Sequence, residues 1–367
     1  MRAMRRLSAL MGSLFMAQSP SLGADLGEER MEKIKRAANY RDGKFRNEIV
    51  HPMMEGSAWG MLREFFFGDQ IRKPPGRLPE VPPEAGTFRE PPADLQVVWL
   101  GHSTLLLELE GKRFLIDPVF GSHASPVPVG AKRFQPPLLK REQLPRIDAV
   151  IISHNHYDHL EAESIRYLAG TGVPFFVPLG VGAHLEEWGV APERITESAW
   201  WEESDFAGVR IVCTPSQHFS GRGLLDRDET LWASWSLIGP TRRVHYSGDG
   251  GYAGHFKEIG KKLGPFDLTL IENGAYDKRW PHVHMFPEQS VQAHLDLRGK
   301  ALMPVHWGMF SLANHDWFEP IRRISAAAKE NGVRILTPRI GEAVRPEETR
   351  VFEAWWDAPE LLGQPSE

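Results

Sequence analysis

Four side chains that commonly bind metal ions lie within one short segment of this 367-residue chain: His154, His156, Asp158 and His159. In an extended loop, residues i and i+2 point to the same side, so His154 and His156 are placed to share one metal ion. Asp158 and His159 are displaced toward a second metal position. Imidazole and carboxylate ligands without a thiolate favour zinc, ahead of iron or manganese. Because so dense a group of ligands seldom occurs without a metal ion, the segment predicts a metal site.

A second metal ion requires ligands from other parts of the chain, and three candidates occur further on. His218, Asp249 and His306 each follow a segment with the composition of a β-strand. Gly248 and Gly250 flank Asp249 and allow the backbone to approach a ligand closely. In α/β proteins, binding sites form beyond the carboxyl ends of the strands. The shared context of these three residues predicts that they join the histidine-rich segment in one site.

The elements that must position this site are short β-like segments followed by helical ones. The predicted strands are residues 96–100, 104–110, 112–117, 149–153, 173–177, 209–214, 233–238, 243–247, 268–272 and 301–304. The predicted helices, with apolar residues three or four positions apart, include residues 160–168, 287–297 and 320–331. Strands follow one another directly early in the chain and alternate with helices later. This order predicts an α/β or α+β layered domain, with sheets covered by helices.

The overall composition is that of a globular protein and narrows the classes of function. A formal net charge of −5, without a Lys/Arg-rich run, argues against a main role in binding nucleic acid. Cys213 is the only cysteine, which excludes an intramolecular disulfide and a cysteine-rich zinc module. Any metal site must therefore use histidine and carboxylate ligands.

The first residues of the chain have the pattern of a secretory signal peptide. Arg2, Arg5 and Arg6 precede an apolar run at residues 7–17, and small residues lead to a predicted cleavage site after Ala24. The run is shorter than the ~20 residues of a transmembrane span. Residues 1–24 therefore predict export, to the periplasm, rather than a membrane anchor. The alternative is an uncleaved helix, with the protein cytoplasmic or peripheral to a membrane.

Residues 25–94 are predicted to form an N-terminal extension ahead of the main domain. Its first part is helical and loop-like and contains an apolar cluster between residues 53 and 67. Prolines then interrupt the chain up to residue 92, a pattern typical of a linker without long regular elements. The apolar cluster is suited either to packing the extension onto the main domain or to contacting lipid, in an acyl-chain groove or at a bilayer surface.

The run His-x-His-x-Asp-His, followed in order by His218, Asp249 and His306, resembles the metallo-β-lactamase superfamily. Within that superfamily the chain is most similar to the N-acylphosphatidylethanolamine-hydrolysing phospholipase D type. The segments that carry this similarity are residues 99–104, 116–120, 153–160, 272–280 and 306–308, with residues 39–45 in the extension. The resemblance covers residues 95–345 and leaves 346–367 as a C-terminal tail. It implies an α/β fold, a four-layer αβ/βα sandwich in which two sheets pack face to face with helices outside.

The resemblance also assigns the ligands to two zinc ions. It implies that one is held by His154, His156 and His218, the other by Asp158, His159 and His306, with Asp249 bridging them. Two divalent ions outweigh two aspartates and a bridging hydroxide, so the site would favour an anionic substrate. The implied reaction is hydrolysis of a phosphodiester, N-acylphosphatidylethanolamine or a related phospholipid, by the hydroxide that bridges the metals. A homodimer is expected on the same basis.

Asp158, Asp249 and His294 are the predicted catalytic residues. The leaving group needs a proton, and the resembled family has a histidine at the spacing of His294 from the last ligand. An exposed helical histidine is the alternative interpretation of His294, and His284 is the other histidine close upstream of that ligand. His102 is expected to order a Gly-His-Ser-Thr turn rather than bind metal.

The sequence leaves other functions open. A lactonase or sugar-phosphate hydrolase of the same superfamily would use nearly the same ligands. Asp249 stands where dinuclear lactamases of the thiol type place a cysteine, which favours a phosphodiesterase or thioesterase branch. Met309 and residues 281–284 depart from the phospholipase pattern, which leaves the exact substrate open. A non-enzymatic scaffold is disfavoured, because inactive relatives usually lose a ligand and all seven are present here.

Overall fold

The computed structural model describes residues 27–52, 54–55, 58–82, 91–127 and 130–363. The predicted signal peptide at residues 1–24 lies outside these residues. Seven α-helices occur in the described part of the chain: α1 Glu28–Arg36, α2 Ala58–Phe67, α3 Ala162–Ala169, α4 Gly182–Glu187, α5 His255–Leu263, α6 Pro287–Asp296 and α7 Glu319–Glu330. None of these helices combines the length and the apolar character needed to cross a bilayer.

The strands of the described residues form one small hairpin and two large sheets. In chain order they are β1 Tyr40–Arg41, β2 Lys44–Phe45, β3 Gln96–Trp99, β4 Leu105–Leu109, β5 Lys112–Ile116, β6 Ala149–Ile151, β7 Phe175–Pro178, β8 Ile195–Ser198, β9 Glu203–Phe206, β10 Val209–Thr214, β11 Ser234–Ile238, β12 Arg243–Tyr246, β13 Leu268–Glu272, β14 Leu302–Val305 and β15 Ala343–Val344. The first large sheet has the strand order β15-β3-β4-β5-β6-β7-β8, and the second has the order β14-β13-β12-β11-β10-β9. Strands β5 to β8 are parallel to one another, as are β12 to β14, and the other neighbours are antiparallel.

Alternation along the strands directs one set of side chains into the space between the sheets. In the first sheet, Val97, Trp99 and Leu107 belong to the central core, together with residues of the second sheet. The intervening Val98 and Leu106 face the other way, into a cluster that includes residues of α3. Because both faces of the sheet are covered, these strands are mostly apolar in sequence and do not alternate between apolar and polar residues.

Helices form the two outer layers of the sandwich. Helices α3 and α4 cover the first sheet through Ile165, Leu168 and Leu185. Helices α5, α6 and α7 contribute buried residues such as Ile259 and Ile324 to the core on the side of the second sheet. The two sheets and two helical layers confirm the predicted α/β sandwich.

The N-terminal extension and the C-terminal tail both pack against the sandwich. Ile34 of α1 and Phe45 of β2 form a small buried cluster with Trp232. In the tail, the ring of Trp355 stacks on that of Trp307, with 5.3 Å between centroids. Since Trp307 directly follows the predicted ligand His306, the tail supports the loop that carries this ligand.

Each of the ten predicted strands corresponds to a strand of the structure. Several other strands and helices of the structure were not predicted from the sequence. Strands β8 and β9 are edge strands of their sheets with polar, partly exposed residues, so they lack the apolar pattern that identifies a strand. Helix α5 has buried residues at helical spacing but contains Gly260, which lowers helix propensity. A Cβ at Gly260 would lie 2.0 Å from the carbonyl oxygen of Asp296, so this glycine permits the close approach of α5 and α6.

Candidate metal centre

Loops from both sheets meet at one edge of the sandwich and bring the predicted ligands together. Residues 154–159 follow β6, while His218, Asp249 and His306 follow β10, β12 and β14. Strands β12 to β14 are parallel neighbours, so the loops after β12 and β14 leave the sheet at the same edge. Ligand atoms of all seven predicted residues lie in overlapping groups whose members are within 4.8 Å of one another.

Left-handed backbone occurs in two of these loops. Gly248, which precedes Asp249, has a φ of 55°, and a Cβ there would lie 2.7 Å from the carbonyl oxygen of Ala233. His306 itself has a φ of 64°, a conformation uncommon for residues other than glycine. Its backbone N–H donates to the carbonyl oxygen of His102 at 3.0 Å. The surrounding structure, rather than the residue's own preference, therefore fixes the backbone of this ligand.

Three histidines form one part of the centre, called here the three-histidine subsite: His154, His156 and His218. Nδ1 of His156 lies 2.8 Å from Nε2 of His154 and 3.3 Å from Nε2 of His218. Burial lowers the pKa of His156 to about 4, and it holds the pKa values of His154 and His218 well below their ordinary value. The three imidazoles are therefore neutral at neutral pH, the form that binds metal ions.

The other part, called the carboxylate subsite, contains Asp158, His159 and His306. Oδ2 of Asp158 lies 3.2 Å from Nε2 of His306 and 3.4 Å from Nε2 of His159. Oδ2 of Asp249 lies 3.0 Å from the same two nitrogens and 3.8 Å from Nε2 of His154. One oxygen of Asp249 thus faces both subsites, which is the position of a bridging ligand.

Opposite charges dominate the electrostatics of the carboxylate subsite. Burial acts to lower the pKa of His306, but Asp249 and Asp158 raise it to about 10. Burial likewise acts to raise the pKa of Asp249, yet His159 and His306 hold it well below its usual range. The carboxylates are therefore ionised although they are buried, and an ionised buried group needs positive charge beside it.

The polar atoms left without partners fit a pair of metal ions. Among the described residues, Oδ1 of Asp249 is buried without a hydrogen-bond partner, and the buried Nε2 of His159, although 3.0 Å from Oδ2 of Asp249, makes no hydrogen bond of good geometry. Leaving a buried polar atom unpaired costs about 1–3 kcal/mol. A divalent cation would satisfy these atoms and the converging neutral imidazoles together. Histidine and carboxylate donors, without thiolate, are suited to zinc and also to iron or manganese.

A buried aspartate that the sequence analysis left without a role supports His159. Oδ2 of Asp117 accepts a hydrogen bond from Nδ1 of His159 at 2.7 Å. The same oxygen accepts from the hydroxyls of Ser153 and Tyr246 at 2.5 Å each, while Oδ1 accepts the backbone N–H of Ser153 at 2.8 Å. A carboxylate bonded to Nδ1 fixes the tautomer of a histidine, so that Nε2 is the atom offered to a metal. Its position at the end of β5, beside β6, is the signal that could have identified Asp117.

A second carboxylate, Glu272, orients His284 at the centre. Glu272 is the last residue of β13, between the two strands that lead to Asp249 and His306, and it is fully buried. Its Oε2 lies 2.8 Å from Nδ1 of His284. The ring of His284 lies 5.1 Å from that of His218 and 5.2 Å from that of His306, between centroids. His284, which the sequence analysis ranked below His294, is thus part of the site.

The structure places His102 inside the site and His294 outside it. Nε2 of His102 lies 3.0 Å from Oδ2 of Asp158, so this histidine does more than order its turn. His294 is buried in α6, and its Nδ1 lies 2.7 Å from Oγ1 of Thr269. Thr269 is near the start of β13, whereas the site forms beyond the last residue of that strand. The structure therefore does not bring His294 to the predicted ligands, because α6 turns this side chain toward the opposite end of the sheet.

Comparison with known proteins identifies the family to which the chain belongs. Residues 112–307, which include all seven predicted ligands, match a family model described as a beta-lactamase superfamily domain. An uncharacterized protein of Mycobacterium tuberculosis is 42% identical over 344 residues, which are 92% of this chain and 91% of that protein. An N-acyl-phosphatidylethanolamine-hydrolyzing phospholipase D of Caenorhabditis elegans is 38% identical over 237 residues, which are 61% of this chain and 67% of that protein. Among solved structures, a metallo hydrolase from the archaeon Ignicoccus hospitalis shares the fold with a TM-score of 0.53 and 21% identity, over 68% of this chain and 97% of that one.

Proposed function

Because the chain belongs to the metallo-β-lactamase superfamily of metallo-hydrolases, we propose that it is a dinuclear zinc phosphodiesterase of the phospholipase D type. Its substrate would be N-acylphosphatidylethanolamine or a related phospholipid. The observation that carries the proposal is the meeting of a three-histidine subsite and a carboxylate subsite at Asp249. The name of the relative from Caenorhabditis elegans supports the choice of substrate.

The ligands divide between the two metal ions as the subsites do. One ion is assigned to the three-histidine subsite and the other to the carboxylate subsite, with Asp249 shared. Two divalent ions, when bound, supply a nucleophilic water at neutral pH and positive charge beside the phosphoryl oxygens. The ionised Asp158 and Asp249 only partly offset the ions, so the centre attracts an anionic phosphodiester.

The proton for the leaving alkoxide is assigned to His284 in place of His294. The carboxylate of Glu272 accepts the Nδ1–H of His284 at 2.8 Å and the backbone N–H of Met285 at 2.7 Å, so the carboxylate is itself fixed. With Nδ1–H bonded to Glu272, the proton that the imidazolium form of His284 can give to the alkoxide is the one on Nε2, on the other side of the ring. The side chain of His284 is 12% exposed, which keeps it in reach of a substrate at the edge of the site.

Exposed apolar side chains support a lipid as substrate and a bilayer as the surface where it is met. They are Val50 (79% exposed), Trp59 (73%), Phe67 (81%), Leu224 (73%) and Leu225 (82%). Leu224 and Leu225 lie on the loop that follows His218, and Val50 follows Ile49, whose carbonyl oxygen accepts a hydrogen bond from Gln217. Of these, Val50, Leu224 and Leu225 belong to segments connected to His218, and apolar side chains near a cationic centre suit an anionic headgroup with attached acyl chains. Export by residues 1–24 and a homodimer stay predictions that accompany this proposal.

The experiment is to measure metal content and product identity on the same purified protein. We expect about two zinc ions per chain by elemental mass spectrometry. Vesicles that contain N-acylphosphatidylethanolamine, incubated in ¹⁸O-labelled water, should yield phosphatidate that carries the label and an unlabelled N-acylethanolamine. This labelling pattern follows from attack of water on phosphorus, with cleavage of the bond between phosphorus and the ethanolamine oxygen.

Two histidine substitutions provide the matched comparison. His159→Ala removes a ligand and should lower both metal content and lipid hydrolysis, whereas His123→Ala, which changes a residue bonded to Ser122 outside the cluster, should change neither. Hydrolysis of a lactone or a sugar phosphate, without cleavage of phospholipid, would move the function to the other hydrolases of the superfamily. Wild-type protein that binds no metal after supplementation would refute the dinuclear centre itself.

A further inference from the structure

Residues 47–52 of the N-terminal extension, called here the strap, lie beside the loop that carries His218. This loop, residues 215–220, follows β10 and leads away from the second sheet. The strap lies more than 160 residues earlier in the chain, yet three of its hydrogen bonds join it to this loop. The extension thus reaches the three-histidine subsite directly.

Asn47 makes the central contact between the strap and the metal centre. Its Nδ2 donates to the backbone carbonyl oxygen of His218 at 2.7 Å, and its Oδ1 accepts the backbone N–H of the same residue at 3.1 Å. Within the described part of the chain, these are the hydrogen bonds of the His218 backbone. Oδ1 of Asn47 also accepts the indole N–H of the buried Trp232 at 3.0 Å. One amide therefore ties the backbone of His218 to the protein core.

Neighbouring contacts restrict the remaining freedom of this ligand. Nε2 of Gln217 donates to the carbonyl oxygen of Ile49 at 2.9 Å, so the residue before His218 is also held by the strap. Nδ1 of His218 lies 3.1 Å from the carbonyl oxygen of Val283, which sets the orientation of the ring. With the backbone held by Asn47 and the ring held at Nδ1, Nε2 is directed to His156, 3.3 Å away.

We propose that Asn47 is a positioning residue of the three-histidine subsite and that the extension thereby contributes to metal binding at the centre. The proposal rests on the metal assignment made above. A ligand whose backbone is free must lose that freedom when it binds a metal ion, and this entropy weakens binding. Asn47 removes that cost in advance, in the way that hydrogen-bonded supporting residues sustain metal affinity elsewhere.

The test compares Asn47→Ala with Asn39→Ala, the same substitution at another asparagine of the extension. Asn39 donates to the carbonyl oxygen of Arg46 in an exposed position and does not contact the centre. We expect Asn47→Ala to retain zinc in the three-histidine subsite about 10–100-fold less tightly in competition with a chelator, and Asn39→Ala to match wild type. Asn47→Asp preserves the volume and the acceptor oxygen but loses the donated bond, so it should fold and still lose affinity.

A double-mutant cycle with His218→Ala separates positioning from a general loss of stability. When His218 is already absent, Asn47→Ala should not weaken zinc at the carboxylate subsite any further, since the two changes act on one ligand. An additional loss at that subsite would overturn the proposal, as would an Asn47→Ala protein that holds zinc as tightly as wild type.

Hydrogen exchange on metal-free protein gives a readout that needs no metal. The amide of His218, which donates to Oδ1 of Asn47, should exchange faster in Asn47→Ala than in wild type, while Asn39→Ala leaves it unchanged. Equal exchange of the His218 amide in all three proteins would refute the proposal that the strap restrains this residue. If wild type bound no metal but showed this difference in exchange, the dinuclear centre would fail and the contact would stand.

Discussion

Replacement of Asp117 by asparagine tests how the supporting carboxylate sets the metal affinity of the centre. Both oxygens of Asp117 are used: Oδ1 accepts the backbone N–H of Ser153, and Oδ2 accepts Nδ1–H of His159 and the hydroxyls of Ser153 and Tyr246. The hydroxyl donors can rotate, whereas the backbone N–H and the imidazole N–H are fixed in direction. An asparagine has one acceptor oxygen and so can serve only one of the two fixed donors.

Each orientation of the asparagine amide leads to a different loss. If its NH₂ faces His159, the imidazole loses a hydrogen bond to a charged group, worth about 1.5–3 kcal/mol, or moves its proton to Nε2, the metal-binding atom. Metal affinity should then fall about 10–100-fold. If the NH₂ instead faces Ser153, a buried backbone donor is left unpaired, and the free energy of unfolding should fall by about 1–3 kcal/mol.

The assay therefore measures both quantities, zinc affinity by chelator competition and the unfolding free energy of metal-free protein in denaturant. Asp267→Asn is the matched control, because Asp267 also accepts a backbone N–H, from Arg243 at 2.8 Å, and lies at the start of β13 away from the centre. The control asparagine can still accept the N–H of Arg243 and loses chiefly the ion pair with the exposed Lys300, so it should lose at most about 1 kcal/mol of stability and keep its zinc affinity. An Asp117→Asn protein with wild-type zinc affinity and wild-type stability would refute the reasoning.

His284→Ala should lower kcat by about 10²–10⁴-fold with the zinc content unchanged, and full turnover by this variant in a steady-state assay would exclude His284 as the proton donor. Trp355→Ala removes a buried ring from its stack on Trp307 and should lower the unfolding free energy by about 3–5 kcal/mol in denaturant titration, whereas an unchanged midpoint would show that the tail is dispensable. Burial lowers the pKa of His245 from 6.5 to about 3, so the unfolded chain takes up this proton before the folded one. The unfolding free energy of the metal-free protein should therefore fall as the pH is lowered between these two values, by up to about 1.4 kcal/mol per pH unit for this residue. His245→Gln should reduce this dependence of the unfolding free energy on pH. An equal dependence in both proteins would contradict this account.

Much of the sandwich was predictable because its strands carry the signal that sequence analysis uses. Strands such as β4 and β13 are buried along their whole length and are mostly apolar in sequence. Strand β9 is an edge strand with a polar, partly exposed sequence, and its pairing with β10 is decided by contacts that no local pattern records. Packing of the extension onto the sandwich was one of two interpretations of its apolar cluster, but Ile34 and Phe45, which make such contacts, carry no local signal for them. The contacts of the tail were not predicted, since they too join residues far apart in the chain.

Some residues of the site could likewise be predicted from the sequence, and others could not. The seven proposed metal ligands could be selected because they combine residue types of strong metal affinity with positions at strand ends, and the structure gathers all seven at one edge of the sandwich. Asp117, Glu272 and Asn47 act through other residues, and an isolated aspartate, glutamate or asparagine carries no distinctive pattern. His294 shows the opposite error, because its spacing in the chain was suitable while the direction of its side chain on α6 was decided by packing.

The spread of the ligands along the chain has a consequence for how the protein matures. Residues 154–159 supply four ligands from a single loop, but His306 contacts Asp158 across 148 residues and the strap contacts His218 across 171. Contacts of such long sequence separation form late in folding, because closing a long loop costs entropy before the contacts repay it. A growing chain therefore exposes a metal-binding loop well before it can complete either subsite. We expect metal uptake to be among the last steps of biogenesis, and tight metal retention to distinguish finished molecules from incompletely folded ones.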